Sequence, residues 1–240
     1  MSMINTSETH EKQYIVRRVL LVEDDAELSL ITTLHLQQNQ CSVDQVCSCA
    51  QAMELLKVNS YDLILLDELL PDRNTGEFCA DVRASCTCPI IFTSSCSDSE
   101  AIVAALVSGG DDYMVKPINY EELLARAEAI DRRLRRNEDV PDSLREFQSF
   151  SIDTTHRYAL RDGEIIELTP VEYDLLVYLV ERPDTPLPYQ ELYEQVWGCD
   201  SLGDHRTVMA HISNLRKKLD PEHDGLISTV RGVGYIFSDR

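Results

Sequence analysis

The sequence predicts two domains. The first is a doubly wound α/β domain on a five-stranded parallel sheet of order 2-1-3-4-5, and the second is an α+β winged helix-turn-helix domain. Three observations predict this. Short apolar runs alternate with helix-like segments over residues 18–135. A proline-containing, mixed-charge stretch without apolar period follows at 136–147. Beyond it, three helical segments lead into a terminal hairpin.

The apolar runs at 18–23, 61–67, 89–94 and 112–115 are too short for helices. Their near-continuous hydrophobicity suits strands buried on both faces. A weaker strand is expected at 42–47, and helices near 25–38, 49–57, 75–85, 98–108 and 119–135. The last of these opens with Glu121 and Glu122 and closes with Arg132, Arg133, Arg135 and Arg136, a polarity that complements the helix dipole. In the second half, Arg161-Asp162-Gly163 signals a turn between short strands. Thr169-Pro170 with Glu172 opens a helix, Thr as cap and Pro at the first position. Helices near 188–196 and 205–219 follow, and then a hairpin of 226–230 and 235–237 around Arg231-Gly232-Val233-Gly234. The expected boundaries are a leader at 1–17, a first domain at 18–135, a linker at 136–147 and a second domain at 148–240.

Composition is that of a globular protein, 43% hydrophobic and 27% charged. No apolar run reaches the length of a bilayer span, and the leader lacks the apolar core of a signal peptide, so a cytoplasmic protein without membrane attachment is expected. The eight cysteines form no CxxC pair, and the two CxC pairs lack partners at zinc-finger spacing. They read as reduced thiols acting as small apolar residues. The net charge of −20 argues against a uniformly basic nucleic-acid binder, but 205–219 holds Arg206, Arg216, Lys217 and Lys218 and no acid.

Glu23, Asp24, Asp67, Ser94, Tyr113 and Lys116 are each read at or just past the carboxyl end of a short apolar run. Ligands of doubly wound sheets bind there, at the point where strand order reverses. Three crowded carboxylates repel, and a hard divalent cation such as Mg²⁺ relieves them. Asp67 could then attack phosphorus, with Lys116 neutralising charge and Ser94 donating a hydroxyl hydrogen bond to the phosphoryl group. Acids at strand ends are often only solvated loop residues. The coincidence of acids, hydroxyl and Lys-Pro outweighs that reading.

The motifs VLLVEDD, YDLILLDELLPD and GGDDYMVKP, with a serine ending the fourth strand, resemble the flavodoxin-like receiver domain of two-component response regulators. The resemblance covers about residues 18–135. It implies that a sensor histidine kinase phosphorylates Asp67. It also implies that Asp24 binds Mg²⁺ directly, Glu23 through water and Leu69 through its backbone carbonyl, and that Ser94 and Tyr113 form a switch pair.

The segment 205–219 carries an apolar face of Val208, Ile212, Leu215 and Leu219. Its other face offers Arg206, Thr207, His211, Asn214 and Lys218 to base edges, with Arg216 and Lys217 suited to phosphate. Arg231, at the hairpin tip, could enter a minor groove. A solvated amphipathic helix is the plainer reading of this segment alone. LTPVEYDLLVYL, ELYEQVWG, RTVMAHISNLRKKL and TVRGVGYIF together resemble the winged-helix effector domain of the OmpR/PhoB family. That resemblance implies DNA contacts from Arg206, Thr207, His211, Ser213, Asn214 and Arg216, and from Thr229, Arg231 and Tyr235 of the wing. The sole tryptophan, Trp197, reads as packing.

The resemblance further implies a phosphorylated homodimer through the fourth helix, fifth strand and fifth helix, with Asp111, Asp112, Glu122 and Arg126 in intersubunit salt bridges. Ile102 and Glu128 stand where basic residues are common, which leaves Glu122 without an expected mate. The function implied is a phosphorylation-switched transcription regulator, not an enzyme, that binds double-stranded promoter DNA and works on RNA polymerase. Two other readings stay open at this point: a redox- or partner-controlled DNA binder with a degenerate receiver, and a phosphorelay interaction module.

Overall fold

The computed structural model describes residues 16–84, 86–136, 144–198, 205–221 and 225–239. β1 (Arg18–Val22), β2 (Ser42–Val46), β3 (Leu63–Asp67), β4 (Ile90–Ser94) and β5 (Asp112–Val115) form a parallel sheet in the order β2-β1-β3-β4-β5. Every residue of β3 and β4 is buried, as their unbroken apolar sequences require of central strands. β2 lies at the edge and is more polar and more exposed.

The helices between these strands are α1 (Ala26–Gln38), α2 (Cys49–Leu56), α3 (Thr75–Arg83), α4 (Ser99–Val107) and α5 (Tyr120–Arg136). Short polar side chains start four of them. Asp25, Ser48, Asn74 and Asp98 each accept from backbone amides of the first turn. Each cap therefore fixes where the chain leaves the strand end and turns back over the sheet. Asp25 follows directly on Glu23 and Asp24, so the cap of α1 also holds those two acids at the end of β1.

The second domain begins with an antiparallel sheet of β6 (Leu144–Glu146), β7 (Ser151–Asp153), β8 (Tyr158–Arg161) and β9 (Glu164–Ile166). Then come α6 (Pro170–Val180), β10 (Leu187–Pro188), α7 (Tyr189–Trp197), α8 (Arg206–Leu219), β11 (Ile227–Val230) and β12 (Gly234–Phe237). A capping box opens α6: Thr169 accepts from the Glu172 amide while Glu172 accepts from the Thr169 amide. The three helices bury one core, with Trp197, Tyr173, Leu176, Ile212, Leu215 and Phe237 among its members.

Three expectations change. Val16 is buried and Cys41 Sγ donates to its carbonyl at 3.2 Å, so the expected leader is cut back; residues 1–15 lie outside the described residues. The linker narrows because α5 runs on to Arg136 and β6 already pairs with β7; residues 137–143 of it lie outside the described residues. The wing is a three-stranded sheet, not a bare hairpin, because β10 pairs with β12. Among the described residues, no helix is long and apolar enough to cross a membrane.

Gly234 makes the third strand of the wing possible. A Cβ there would stand 1.9 Å from the Leu187 carbonyl oxygen, a distance no side-chain movement relieves. Gly234→Ala is expected to displace β10 and destabilise the second domain by about 3 kcal/mol. Thermal unfolding followed by circular dichroism checks this, and an unchanged midpoint would contradict it.

Candidate functional site

The carboxyl ends of β1 and β3 are neighbours, so Glu23, Asp24 and Asp67 meet. Their carboxylate oxygens lie within 4.8 Å of one another. Asp67 and Glu23 are buried, while Asp24 is exposed. Lys116, just beyond β5, reaches back across β4. Its Nζ bonds to Glu23 Oε2 at 2.7 Å and to Asp67 Oδ2. The other Asp67 oxygen accepts from the Leu69 amide at 2.8 Å.

Burial, together with the neighbouring Asp67 charge, raises the Glu23 pKa above the usual carboxylate range, against the pull of Lys116. Burial alone would lower the Lys116 pKa, but the hydrogen bonds to Asp67 and Glu23 raise it, so the ammonium stays charged. One fixed cation thus faces three acids. That excess of oxygen ligands and negative charge fits a hard divalent cation, with Asp24 open to solvent and able to share it with water.

Ser94 ends β4 beside Asp67, whose register partner is Thr93. Ser94 Oγ accepts from the Cys96 amide at 3.0 Å. Tyr113 lies buried on β5, and its hydroxyl donates to the Cys96 carbonyl at 2.8 Å, with Glu68 Oε2 at 3.1 Å. Leu69 is 75% exposed at the rim of the site.

Both halves of the chain match family models: residues 19–128 match the response regulator receiver domain and residues 163–237 the C-terminal domain of transcriptional regulatory proteins. The DNA-binding response regulator MtrA of Mycolicibacterium paratuberculosis is 38% identical over 91% of this chain and 97% of its own. The response regulator ArlR of Staphylococcus saprophyticus is 39% identical over 91% and 98%. The chain is a response regulator of the OmpR/PhoB family. Its receiver and DNA-binding domains are therefore the two ends of a two-component pathway that starts at a histidine kinase. Among solved structures, a mutant of RitR fits with a TM-score of 0.76 at 30% identity, over 93% of this chain and all of that one. A fit of that quality across both domains means that they are packed in a similar relative position.

In this response regulator α8 does not face outwards. It lies against α4 of the receiver, and Ala210 joins the cluster that contains Ile102, Ala105 and Leu106. His211 is wholly buried, and Thr207 and Asn214 are buried too. Arg206 donates to the Ser97 carbonyl at 3.1 Å, beside α4. Of the residues expected at base edges, only Ser213 is exposed, with Lys217 beside it.

Arg216 braces the wing, donating to the Ile227 carbonyl and to Thr229 Oγ1 at 2.8 Å each. Thr229 and Arg231 remain exposed. The expectation that Tyr235 faces DNA does not fit its position: the ring is buried in the second domain's own core, edge-on to Tyr189 at 5.3 Å. Its place on β12, opposite Leu187, turns it inwards.

In the closed chain, the residues expected in intersubunit bridges pair within the chain. Asp111 and Asp112 are fully buried and pair within the chain, Asp111 with Arg83 and Asp112 with Arg126 at 2.6 Å. Glu122 does have a mate, Arg126 one helical turn on, at 2.5 Å. Arg126 also donates to the Tyr193 hydroxyl across the domain boundary. Sequence reasoning missed the most telling atom here. The Asp111 carbonyl accepts from Trp197 Nε1 and from His211 Nε2, each at 3.2 Å. A carbonyl only accepts, so the proton of neutral His211 sits on Nε2, and Nδ1 has no partner.

Two predictions follow from this interface. Burial holds His211 down at about 4, with Glu172, Asp111, Arg83 and Lys218 around it. Once the domains part, the ring should return to about 6.5. The closed form is therefore fully favoured above pH 6.5 and loses ground as pH falls towards 4. Between pH 7.5 and pH 5.5 its weight should fall about tenfold. Acrylamide quenching of Trp197 reads the opening, and His211→Gln should remove the dependence that this ring contributes.

Second, Gly198 ends α7 at φ +70, and a Cβ there would lie 2.8 Å from Ala129 Cβ on α5. Ala129→Leu should overpack this contact by about 1–3 kcal/mol and open the protein by roughly 5- to 100-fold, with the receiver still folded. Unchanged quenching of Trp197 in this variant would contradict the contact.

Proposed function

We propose that Asp67 accepts a phosphoryl group from a sensor histidine kinase and that this modification frees α8 to read promoter DNA. The observation that carries the reading is the grouping of Asp67, Glu23, Asp24 and Lys116 in one partly buried pocket. Asp67 is the nucleophile. Its Oδ1 is oriented by the Leu69 amide and its Oδ2 by Lys116, so the carboxylate cannot swing freely. When the phosphoryl group arrives, Lys116 can leave the carboxylate for a phosphoryl oxygen, and Ser94 can turn its hydroxyl towards another. Glu23, Asp24 and Asp67, with the Leu69 carbonyl, would hold Mg²⁺, which would supply charge neutralisation for the incoming phosphate. The chain is not a turnover enzyme, because Asp67 is consumed by the transfer.

The route to α8 runs along three consecutive residues. Tyr113 touches the loop after Ser94 through the Cys96 carbonyl. Asp112 holds Arg126, which holds Tyr193. The Asp111 carbonyl holds Trp197 and His211. A small shift of β5 therefore reaches the contacts made by Tyr193, Trp197 and His211. The surface freed on opening is formed by α4, β5 and α5, and a second copy can then occupy it. Such a homodimer would set two α8 helices on tandem half-sites, where Arg206, Thr207, His211, Ser213 and Asn214 become available to bases and Arg216, Lys217, Thr229 and Arg231 to the backbone. Effect on RNA polymerase, in the cytoplasm, completes the reading.

The test uses acetyl phosphate and Mg²⁺ on the full chain. The intact protein should gain the mass of one phosphoryl group, and Asp67→Asn should gain none. Sedimentation should show dimers only after phosphorylation, together with increased acrylamide quenching of Trp197. Equal mass gain in Asp67→Asn would overturn the assignment.

A further inference from the structure

Two cysteines sit together at the end of the receiver remote from Asp67. Cys86 and Cys88 lie between α3 and β4, Cys88 buried and Cys86 half-buried. The Cys88 amide donates to Cys86 Sγ at 3.3 Å, and the Cys88 thiol donates to the Pro89 carbonyl at 3.5 Å. The guanidinium of Arg83 donates to the carbonyls of both residues, at 3.4 Å for Cys86. The Cys88 thiol is the strongest influence on Cys86. Against the cost of burial, and with the amide and Arg83 adding to it, it holds Cys86 down to about 6. Cys88 is pushed up by its neighbour Cys86 and by burial. Both thiols line a cleft of about 630 Å³ whose walls include Met53, Leu56, Tyr61 and Val82, so small solutes can reach them.

We propose that Cys86 and Cys88 are a hydroperoxide-reactive dithiol whose oxidation to a disulfide loosens the receiver's hold on α8. The Cys86 thiolate sulfur attacks one oxygen of hydrogen peroxide. The O–O bond breaks, the departing hydroxide takes up a proton as water, and Cys86 becomes a sulfenic acid. Cys88 sulfur then attacks Cys86 sulfur. An S–S bond forms, the S–O bond breaks, and the hydroxyl leaves with the Cys88 proton as a second water. Two thiols lose two electrons in total, and one peroxide gains them.

The link to α8 is Arg83. Besides the two cysteine carbonyls it donates to the Gly109 carbonyl at 2.8 Å and to the Asp111 carboxylate. The Asp111 carbonyl is where Trp197 and His211 attach. Joining two sulfurs one residue apart closes a small ring and must rotate the peptides between them. The carbonyls of Cys86 and Cys88 then no longer both point at Arg83, and the arginine that fixes Asp111 is released on one side.

The experiment treats the reduced, full-length protein with hydrogen peroxide, without any phosphate donor, so its outcome is independent of the reading of Asp67. Cys86, held down to about 6, should react about tenfold faster than the exposed Cys47. The peptide holding Cys86 and Cys88 should lose two hydrogens, resist alkylation at both, and recover with dithiothreitol. Cys88→Ser should stop at a sulfenic acid on Cys86 that dimedone labels. Acrylamide quenching of Trp197 should rise on oxidation of the wild type and stay level in Cys86→Ser or Cys86→Ala. If both thiols still alkylate at their original rate once peroxide has consumed Cys47, the dithiol is refuted. If the disulfide forms and Trp197 quenching does not move, the link to α8 is refuted.

Discussion

Two buried aspartates on or beside β5 hold this protein together as a unit. Taking a carboxylate out of water costs several kcal/mol, and only a paired cation with further hydrogen bonds offsets it. Asp111 and Asp112 are both fully buried, and each has its arginine, Arg83 from α3 and Arg126 from α5. The compensation is incomplete at Asp111, whose carboxyl is pushed up to about 6 by burial despite Arg83. The two pairs fix the backbone at the mouth of β5, and the backbone there carries the hydrogen bonds to Trp197 and His211. Interface, strand and Tyr113 thus share one segment of three residues.

Under the proposed function, this arrangement sets two uses of one surface against each other. The α4-β5-α5 face is covered by α7 and α8 of the same chain, so a second copy can reach it only after they leave. The closed contacts combine hydrogen bonds to the Asp111 carbonyl with the close approach of Ala210 and Ala129. Such an interface is suited to a shift of a few kcal/mol, which a new covalent charge in the acidic pocket can supply.

Much of the fold was legible because its signals are local. The apolar runs of β3 and β4 have no other use than a central strand, and Asp25, Ser48, Asn74 and Asp98 mark helix starts with their own side chains. The acids of the pocket were legible for the same reason, each lying at a strand end. What depended on distant partners was not. β6 is exposed throughout and β10 is two residues long, so neither has a pattern to read. Asp111 and Asp112 looked like surface acids because the arginines that permit their burial come from α3 and α5. Thr207, His211 and Asn214 are neutral side chains with hydrogen-bonding edges. The same chemistry serves a base pair or a carbonyl of a neighbouring domain, and sequence alone cannot separate the two.

The placement of α8 also changes how the molecule looks to a polyanion. The chain carries a net charge of −20, and two of the cations of α8 are engaged in the closed form, Arg206 with the Ser97 carbonyl and Lys218 with Glu172. Within a Debye length or so of a chromosome, the closed form is a like-charged particle and is turned away rather than held. Under the proposed opening, release of α8 would strengthen contact with DNA phosphates, so the shut conformation would govern the search as well as the final grip.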